Sequence, residues 1–321
     1  MTPEIAKQLL FRMMRIRYVE ETIAARYSEQ AMRCPIHLCT GQEAVSAAVG
    51  LVLRPSDFAV SGHRAHGHYL GKGGNLRAML AEIYGKKTGC AGGRGGSMHL
   101  IDESVGFMGS TAIVGNTIPV GVGLGLSIQL SGSDAVSCVF LGDGAAETGV
   151  FFESMNFAAV REIPVLFVCE NNLYSVYSPL HVRQPKGRKI FRLAQAIGVE
   201  AEHGDGNDVE AVYAMMKRAV ADIRRNGGPR FLEFDTYRWR EHCGPNFDND
   251  IGYRTEQEYL AHRMQEPIKR QHDKLIQSKL LAPEELAAFG ESLRVEIEDA
   301  FCYAIESPFP DDTDVRARLY A

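Results

Sequence analysis

The residues with the clearest chemistry stand at the two ends of one predicted helix. Asp143 follows the apolar run 136–141 after one glycine, and Asn172 comes shortly after the apolar run 165–169. The segment between them has apolar residues at three- and four-residue spacing, which predicts a helix that stops before Pro164. Strand, helix and strand in this order form a parallel βαβ unit. That unit places Asp143 and Asn172 at the same carboxyl edge of a sheet.

These side chains predict a site for a metal ion and an anion. Carboxylate and amide oxygens are hard ligands that suit Mg²⁺ or Ca²⁺ rather than zinc or copper, and Mg²⁺ takes further ligands from phosphates and water. Gly142 and Gly144 let a diphosphate approach the backbone, and a helix predicted to begin near Ala145 offers free N–H groups. A glycine-flanked aspartate alone marks only a turn. With 26 residues between this turn and Asn171-Asn172, the pattern predicts a bound diphosphate with its metal.

The composition is that of an ordinary globular protein with ample core. The chain has 321 residues, of which 45% are hydrophobic and 23% charged, and its net charge is −5. Acidic and basic residues are interspersed, so nucleic acid is not an expected partner. No apolar span is long enough for a membrane helix. The seven cysteines are scattered without a CxxC pair, so neither a zinc site nor a disulfide framework is predicted, and a cytoplasmic location is expected.

The segment 142–172 resembles the thiamine diphosphate motif. From about Phe11 onward the chain is similar to the α subunits of two-subunit 2-oxo acid dehydrogenase E1 components, which act on pyruvate, branched-chain 2-oxo acids or acetoin. The resemblance implies an α/β fold in which helices flank a mostly parallel central sheet, the diphosphate half of the thiamine diphosphate-binding fold. The expected layout is one domain over 1–321, with an N-terminal helix over 5–30, an α/β core over about 36–240 and a C-terminal helical segment over about 254–306.

The resemblance also implies the site residues and the cofactors, thiamine diphosphate and Mg²⁺. Asp143, Asn172 and the backbone carbonyl of Tyr174 match the family's metal ligands. His37 matches the histidine of an HL..GQEA motif and His242 that of a loop bordering the active site, and both are expected to be catalytic. The other expected cofactor contacts are His63, Arg64, Ala112, Val114, Gly142, Gly144 and Ala145, together with His242 itself.

Several positions depart from the family pattern and leave the substrate open. His63 stands where a tyrosine is usual, and Ala112 where a glycine is usual. Cys243 replaces a serine that some members phosphorylate, so phosphorylation is not expected there. The insertion Cys243-Gly244-Pro245 is the largest departure.

Four further features have a less specific pattern. His66 and His68 are as easily solvated as functional, and His99 is a candidate for lining the approach to the cofactor. The basic stretch 180–192 is more typical of a solvated face than of a site.

The expected function is that of an E1 α subunit. It binds the Mg-diphosphate end of thiamine diphosphate and, with a separate β subunit, decarboxylates a 2-oxo acid (pyruvate-like or acetoin) and transfers the acyl group to a lipoyl carrier. The family's activating glutamate belongs to the pyrimidine-binding domain, and this chain matches only the diphosphate half. The chain is therefore expected to be inactive alone and to work in an α2β2 heterotetramer, with a lipoyl-bearing E2 as acceptor.

Two alternatives stay open from the sequence. A thiamine diphosphate-dependent carboligase subunit in a biosynthetic pathway would need no lipoyl partner. A silent scaffold subunit would predict loss of the metal ligands, whereas Asp143 and Asn172 are both present.

Overall fold

The structure, a computed structural model, describes residues 1–311 and Thr313. Strands in this part of the chain form one larger sheet and one small hairpin. In chain order the strands are β1 (Phe58–Ser61), β2 (Phe107–Ser110), β3 (Ser137–Gly142), β4 (Val165–Asn171), β5 (Tyr174–Ser175), β6 (Ser178–Pro179), β7 (Glu200–Asp205) and β8 (Arg230–Asp235).

The larger sheet has six parallel strands in the order β2-β1-β3-β4-β8-β7. Its central strands β3 and β4 pair in register, with Gly142 opposite Glu170, so both end at the same edge. All seven residues of β4 are buried, as expected for a parallel strand covered on both faces. The predicted α/β fold with a mostly parallel central sheet is confirmed.

Helices cover both faces of this sheet. In chain order they are α1 (Pro3–Arg26), α2 (Glu43–Val52), α3 (His66–Lys72), α4 (Leu76–Ile83), α5 (Thr117–Leu130), α6 (Gly149–Val160), α7 (Leu180–Arg183), α8 (Ile190–Ala196), α9 (Val209–Asn226), α10 (Glu256–Arg263), α11 (Pro267–Gln277) and α12 (Pro283–Glu306). Among the residues described, no helix combines the length and the apolar character that crossing a membrane requires.

Alternate residues of the central strands build two separate cores. Cys138 and Phe140 of β3 face the core that includes α1, α2 and α9, whereas Val139 faces the core that includes α5 and α6. Helix α5 lies unusually close to the sheet. A Cβ on Gly121 would come within 2.1 Å of Val139, and one on Gly125 within 2.6 Å of Val165, so glycine is required at both positions.

Two predicted helix boundaries were wrong. Helix α1 ends at Arg26 rather than Gln30, because a 3₁₀ turn follows and Gln30 then adopts a left-handed φ of 57°. Helix α6 begins at Gly149 rather than near Ala145, because the residues Asp143–Glu147 form a 3₁₀ turn of their own. The tight turn after β3 therefore belongs to the site and not to the helix.

Candidate active site

A cleft of about 200 Å³ opens at the carboxyl ends of β1, β3 and β4. Open parallel sheets bind ligands at this edge. The structure brings every residue predicted for the site to the wall of this one cleft. These residues are His37, His63, Arg64, Ala112, Val114, Gly142, Asp143, Gly144, Ala145, Asn172, Tyr174 and His242.

Asp143 lines the cleft, and its side chain is almost fully buried. Burial raises the pKa of this carboxyl, although the guanidinium of Arg183 opposes the effect. Arg183 forms an ion pair with Asp143 and a second one with Glu147, and its Nε donates to the carbonyl of Ser178 at 3.0 Å. A buried carboxylate needs a cation beside it, and in this structure an arginine supplies the charge.

Asn172 and Tyr174 sit in a strained turn after β4. Leu173 between them has a φ of 71°, in the left-handed region that non-glycine residues rarely adopt. The Tyr174 N–H donates to Asn172 Oδ1 at 3.2 Å, and Asn172 Nδ2 donates to Gln42 Oε1 at 3.0 Å. The Asn172 amide is thus held in one orientation, and its oxygen keeps a second lone pair for a ligand.

His37 and His242 come from distant parts of the chain and are joined by a backbone contact. The N–H of Gly244 donates to Ile36 O at 2.9 Å, and that of Trp239 donates to Thr40 O at 3.1 Å. Gly244, within the Cys-Gly-Pro insertion, has a left-handed φ of 124°. The insertion therefore lets the loop that carries His242 run beside the segment that carries His37.

The three predicted histidines form a cluster of rings. The ring centroids are 4.8 Å apart for His37 and His63, 5.1 Å for His37 and His242, and 5.3 Å for His63 and His242. Burial, and next the charge of Arg64, lower the pKa of His37 to about 2, of His63 to about 3 and of His242 to about 4. All three imidazoles are therefore neutral at pH 7 in the unliganded chain.

Arg64 contacts the two loops that carry His37 and His242. Its guanidinium donates to the carbonyl of Leu38 and, at 3.0 Å, to the carbonyl of His242, so it ties the two loops together. Burial lowers the pKa of Arg64 to about 10, which leaves it charged at neutral pH. A half-buried guanidinium at the wall of a cleft is suited to an anion such as a phosphate.

Of the two alternatives open for His66 and His68, the solvated one is wrong, because both rings are buried. His66 Nδ1 lies 2.5 Å from Glu20 Oε1, and its Nε2 lies 2.8 Å from Ser97 Oγ. His68 Nδ1 lies 2.8 Å from Ser61 Oγ, and its ring stacks on Phe140 with the centroids 3.9 Å apart. Its Nε2 is also 2.8 Å from Glu170 Oε2, without the geometry of a hydrogen bond.

The basic stretch 180–192 is also more than a solvated face, since Arg183 reaches Asp143. The sequence offers no signal for this pairing, because the partner lies forty residues earlier, with helix α6 and strand β4 in between. His99 is not at the cleft wall; its Nδ1 lies 2.9 Å from the carbonyl of Gly95. Among the wall residues without a predicted role are Gln42, which stands within the GQEA motif, and Glu170, which stands directly before Asn171-Asn172.

Comparison with known proteins identifies the family. Residues 11–312 match the family described as "Dehydrogenase E1 component". The chain is 34% identical over 314 residues to the somatic, mitochondrial pyruvate dehydrogenase E1 component subunit alpha of Rattus norvegicus, covering 97% of this chain and 78% of that protein. It is 35% identical over 311 residues to the chloroplastic subunit alpha-3 of Arabidopsis thaliana, covering 95% and 72%. It is 31% identical over 308 residues to the subunit alpha of Rickettsia bellii (strain RML369-C), covering 96% and 93%.

These matches extend over nearly the whole chain and include all the residues that line the cleft. They confirm the predicted family, and with it the enzyme class and the cofactors, since the family uses thiamine diphosphate with Mg²⁺. The chain belongs to the dehydrogenase E1 component family, as an α subunit of its thiamine diphosphate-dependent 2-oxo acid dehydrogenases.

Proposed function

We propose that this chain is a single diphosphate-binding α/β domain that acts as the E1 α subunit of a pyruvate dehydrogenase-type complex. In this proposal it holds the Mg-diphosphate end of thiamine diphosphate and works with a separate β subunit. The pair decarboxylates a small 2-oxo acid, with pyruvate as the first candidate because the relatives are named for it. The acyl group passes to a lipoyl carrier on a third component.

The observation that carries the proposal is the convergence of oxygen ligands and cations at one cleft. Asp143, Asn172 and Tyr174 line it together with Arg64. The donor set fits Mg²⁺, because a carboxylate, an amide and a backbone carbonyl are all oxygen ligands. Asp143 also has a guanidinium beside it in this structure, so the position is one where a positive charge is stable.

The residues of this chain have separate tasks in the reaction. Asp143, Asn172 and the carbonyl of Tyr174 would hold Mg²⁺, and Arg64 would bind the diphosphate. The bound cofactor supplies an electron sink for decarboxylation. Burial, and next the charge of Arg64, lower the pKa of His242. With Arg64 paired to an anion, the second of these causes would weaken, and His242 would hold and release a proton at its ring nitrogen more readily.

The cleft has the character of half a site. Its volume of about 200 Å³ is below the roughly 300–1,000 Å³ of a complete small-molecule site. Val114, at its wall, is half-exposed, and the adjoining helices α5 and α6 expose further apolar side chains. An apolar surface that continues from the rim of a cleft supports the docking of a partner subunit, here the β subunit of an α2β2 heterotetramer. The exposed apolar residues of the two helices include Val120, Leu130, Phe152, Phe157 and Val160.

A cytoplasmic location is part of the proposal. The seven cysteines are all free thiols in the structure, and three of them are buried in the core or beside it. Free thiols are typical of a reducing compartment. Fractionation of the source cells with an antibody against the chain tests this point.

The proposed function is tested by calorimetric titration with thiamine diphosphate and Mg²⁺. The chain is produced with its β subunit, and the titration is repeated with the chain alone. Tight binding is expected only for the complex, because each subunit contributes half of the site. Equal binding by the chain alone would contradict the divided site.

Asp143→Ala is the informative variant, and Asp134→Ala is its matched control. Asp134 is exposed and pairs with Arg54 in the loop before β3, away from the cleft. Cofactor binding by the complex is expected to weaken by about 100-fold or more in Asp143→Ala, equal to about 2.7 kcal/mol, and to stay unchanged in Asp134→Ala. Normal affinity in Asp143→Ala would remove the metal assignment.

The acceptor is tested with the same complex and a lipoyl domain. Acyl transfer that depends on the lipoyl domain is the expected result, with pyruvate tried first among 2-oxo acids. Acyloin formation that continues when the lipoyl domain is left out would favour the carboligase instead. Absence of Mg²⁺-dependent thiamine diphosphate binding by the assembled complex would favour the silent subunit.

A further inference from the structure

The cluster of His37, His63 and His242 has the composition of a metal site of its own. Each ring offers a nitrogen, and the three nitrogens lie within 4.8 Å of one another. In a tetrahedral zinc site the nitrogens stand about 3.3 Å apart, as follows from a Zn–N distance of about 2.0–2.1 Å. The observed spacing is wider than this, and two of the three rings, His63 and His242, are only half-buried.

An unpartnered buried atom points to a missing ligand. His37 is 6% exposed, and its Nδ1 has no hydrogen-bond partner. Buried polar atoms in folded proteins almost always have a partner, and an orphan calls for an explanation such as an ion. The histidine–carboxylate pairs within the described part of the chain belong to His66, His68, His203 and His272 and not to the cluster.

A second group of possible ligands, His203, Glu233 and Asp235, shows the contrast. In this second group, the side chains of all three residues already have hydrogen-bond partners. His203 Nε2 lies 2.8 Å from Asp235 Oδ2, and the carboxylate of Glu233 accepts hydrogen bonds from Asn171 and Phe191 at 2.8 Å each. That group is held by its own hydrogen bonds, whereas His37 Nδ1 in the three-histidine cluster has no hydrogen-bond partner.

We propose that His37, His63 and His242 form a binding site for a borderline divalent metal ion of the Zn²⁺ class, separate from the oxygen ligands at Asp143 and Asn172. Three neutral imidazoles suit Zn²⁺, Co²⁺, Ni²⁺ or Cu²⁺ and are poor ligands for Mg²⁺. The two sites in one cleft would therefore take different ions.

The cleft and Arg64 determine which further ligand such an ion would bind. All three histidines line the cleft, so a fourth coordination position can face the open space. Arg64 beside the cluster lowers the affinity for every cation alike, and it favours an anion at that fourth position. A bound ion would narrow the cleft and inhibit turnover reversibly; this consequence rests on the proposed function, whereas the binding itself does not.

The site is tested on the full chain by titration with Co²⁺ in the presence of excess Mg²⁺. Visible absorption of tetrahedral Co²⁺ is the signal, and displacement by Zn²⁺ is the second measurement. One equivalent of Co²⁺ per chain is expected to bind with nitrogen ligation and to leave when Zn²⁺ is added. Absence of a Mg²⁺-resistant signal overturns the proposal.

Variants locate the ion. His63→Tyr, which introduces the residue usual in the family, is expected to weaken Co²⁺ binding by roughly 100-fold, since even outer-shell changes cost 10- to 100-fold. His242→Gln is a second variant in case the first does not fold, and thermal unfolding checks both. Asp143→Ala and His203→Asn are expected to bind Co²⁺ as the unmodified chain does.

The exposed thiol of Cys243, next to His242, needs its own control. Cys243→Ser is expected to leave the spectrum unchanged, without a thiolate charge-transfer band in either protein. Loss of the signal in Cys243→Ser, in His203→Asn or in Asp143→Ala would assign the ion elsewhere and overturn the proposal. Retention of full affinity in both His63→Tyr and His242→Gln would do the same.

Discussion

Two groups of histidines in this protein differ in their partners. His66 and His68, the paired histidines, each have a carboxylate within 2.8 Å, from Glu20 and Glu170 respectively. His37, His63 and His242, the open histidines, have one another and Arg64 instead. The paired rings stand on or at the start of helix α3, whereas the open rings stand on loops.

The two groups show that burial alone does not decide whether a histidine is structural or functional. Both groups are largely withdrawn from water, yet a carboxylate lies close to only the paired rings. A ring fixed between a carboxylate and a hydroxyl, as His66 is, has no free nitrogen and stabilises the fold. A neutral ring with a free nitrogen at a cleft wall can bind a ligand or move a proton. Substitutions in the open group are therefore expected to change turnover and those in the paired group to change stability.

The largest effect is expected for His242→Ala in the complete enzyme. General acid or base catalysis contributes about 10²- to 10⁴-fold to a rate, so turnover is expected to fall by that factor. The affinity for thiamine diphosphate is expected to change far less, because the metal and diphosphate ligands stay in place. Steady-state kinetics and calorimetry on the same preparation measure the two quantities.

The control for this prediction is His203→Asn, at an exposed histidine outside the cleft. It is expected to leave turnover unchanged. A normal rate in His242→Ala would place that ring among purely structural residues. A parallel loss of rate and cofactor affinity would mean that His242 contributes mainly to binding.

The sequence predicted the cofactor edge better than the histidine groups, and the reason is geometric. Asp143 and Asn172 follow two strands joined by a helix, so parallel pairing places them together whatever the rest of the chain does. No such local rule joins His37 to His242, because their contact depends on a left-handed Gly244 and a backbone hydrogen bond to Ile36. The resemblance to a family, and not the spacing, brought them into one prediction.

The paired histidines show what the sequence could not decide. His66 is the first residue of helix α3. Its partner Glu20 lies in helix α1, a distant element of the chain. The sequence around an isolated histidine does not indicate that a buried carboxylate from a distant element will be its partner. Arg183 shows a similar failure for a charged residue. Its place in a basic stretch predicted a solvated side chain, but it forms an ion pair with the buried Asp143.

In the paired group, Glu20→Ala is expected to destabilise the fold by about 3 kcal/mol. The fully buried Glu20 carboxylate accepts from His66 and from the N–H of Cys39. Its removal leaves two buried groups without partners, each costing about 1–3 kcal/mol. Urea unfolding followed by circular dichroism gives the free energy of unfolding.

Glu4→Ala is the matched control, because Glu4 is on the same helix and exposed. Its effect is expected to stay within about 0.5 kcal/mol. Equal effects of the two substitutions would mean that the Glu20–His66 pair does not stabilise the fold, and the distinction between the two groups would lose its basis.

A smaller effect concerns the pH dependence of stability. The folded-state pKa of the open histidines lies below the ordinary value of 6.5, at about 3 for His63. The unfolded chain then binds more protons, so this contribution to stability is complete above pH 6.5 and is lost as the pH falls. His63→Tyr is expected to flatten the loss between about pH 6.5 and 5. The change is at most about 1.4 kcal/mol per pH unit, and solvent around the half-buried ring reduces it.

Denaturant unfolding at a series of pH values measures that slope. Ala112→Gly, a change at the cleft wall without a titrating group, is expected to keep the slope of the unmodified chain. A slope in His63→Tyr identical to that of Ala112→Gly would show that His63 is already protonated in the folded chain near pH 6, against the expected charge state of the open group.

The smallest effect is expected for Ser97→Ala, which removes only the hydroxyl 2.8 Å from His66 Nε2. The ring keeps Glu20, so one buried hydrogen bond is lost at a cost of about 1 kcal/mol in the free energy of unfolding. Ser104→Ala, at an exposed serine that donates to Asp102 at 2.6 Å, is expected to cost less than about 0.5 kcal/mol. Turnover of the assembled enzyme is expected to stay unchanged in both variants. A clear loss of turnover in Ser97→Ala without a loss of stability would move His66 out of the structural group, because the fixed ring would then be needed by the reaction and not by the fold.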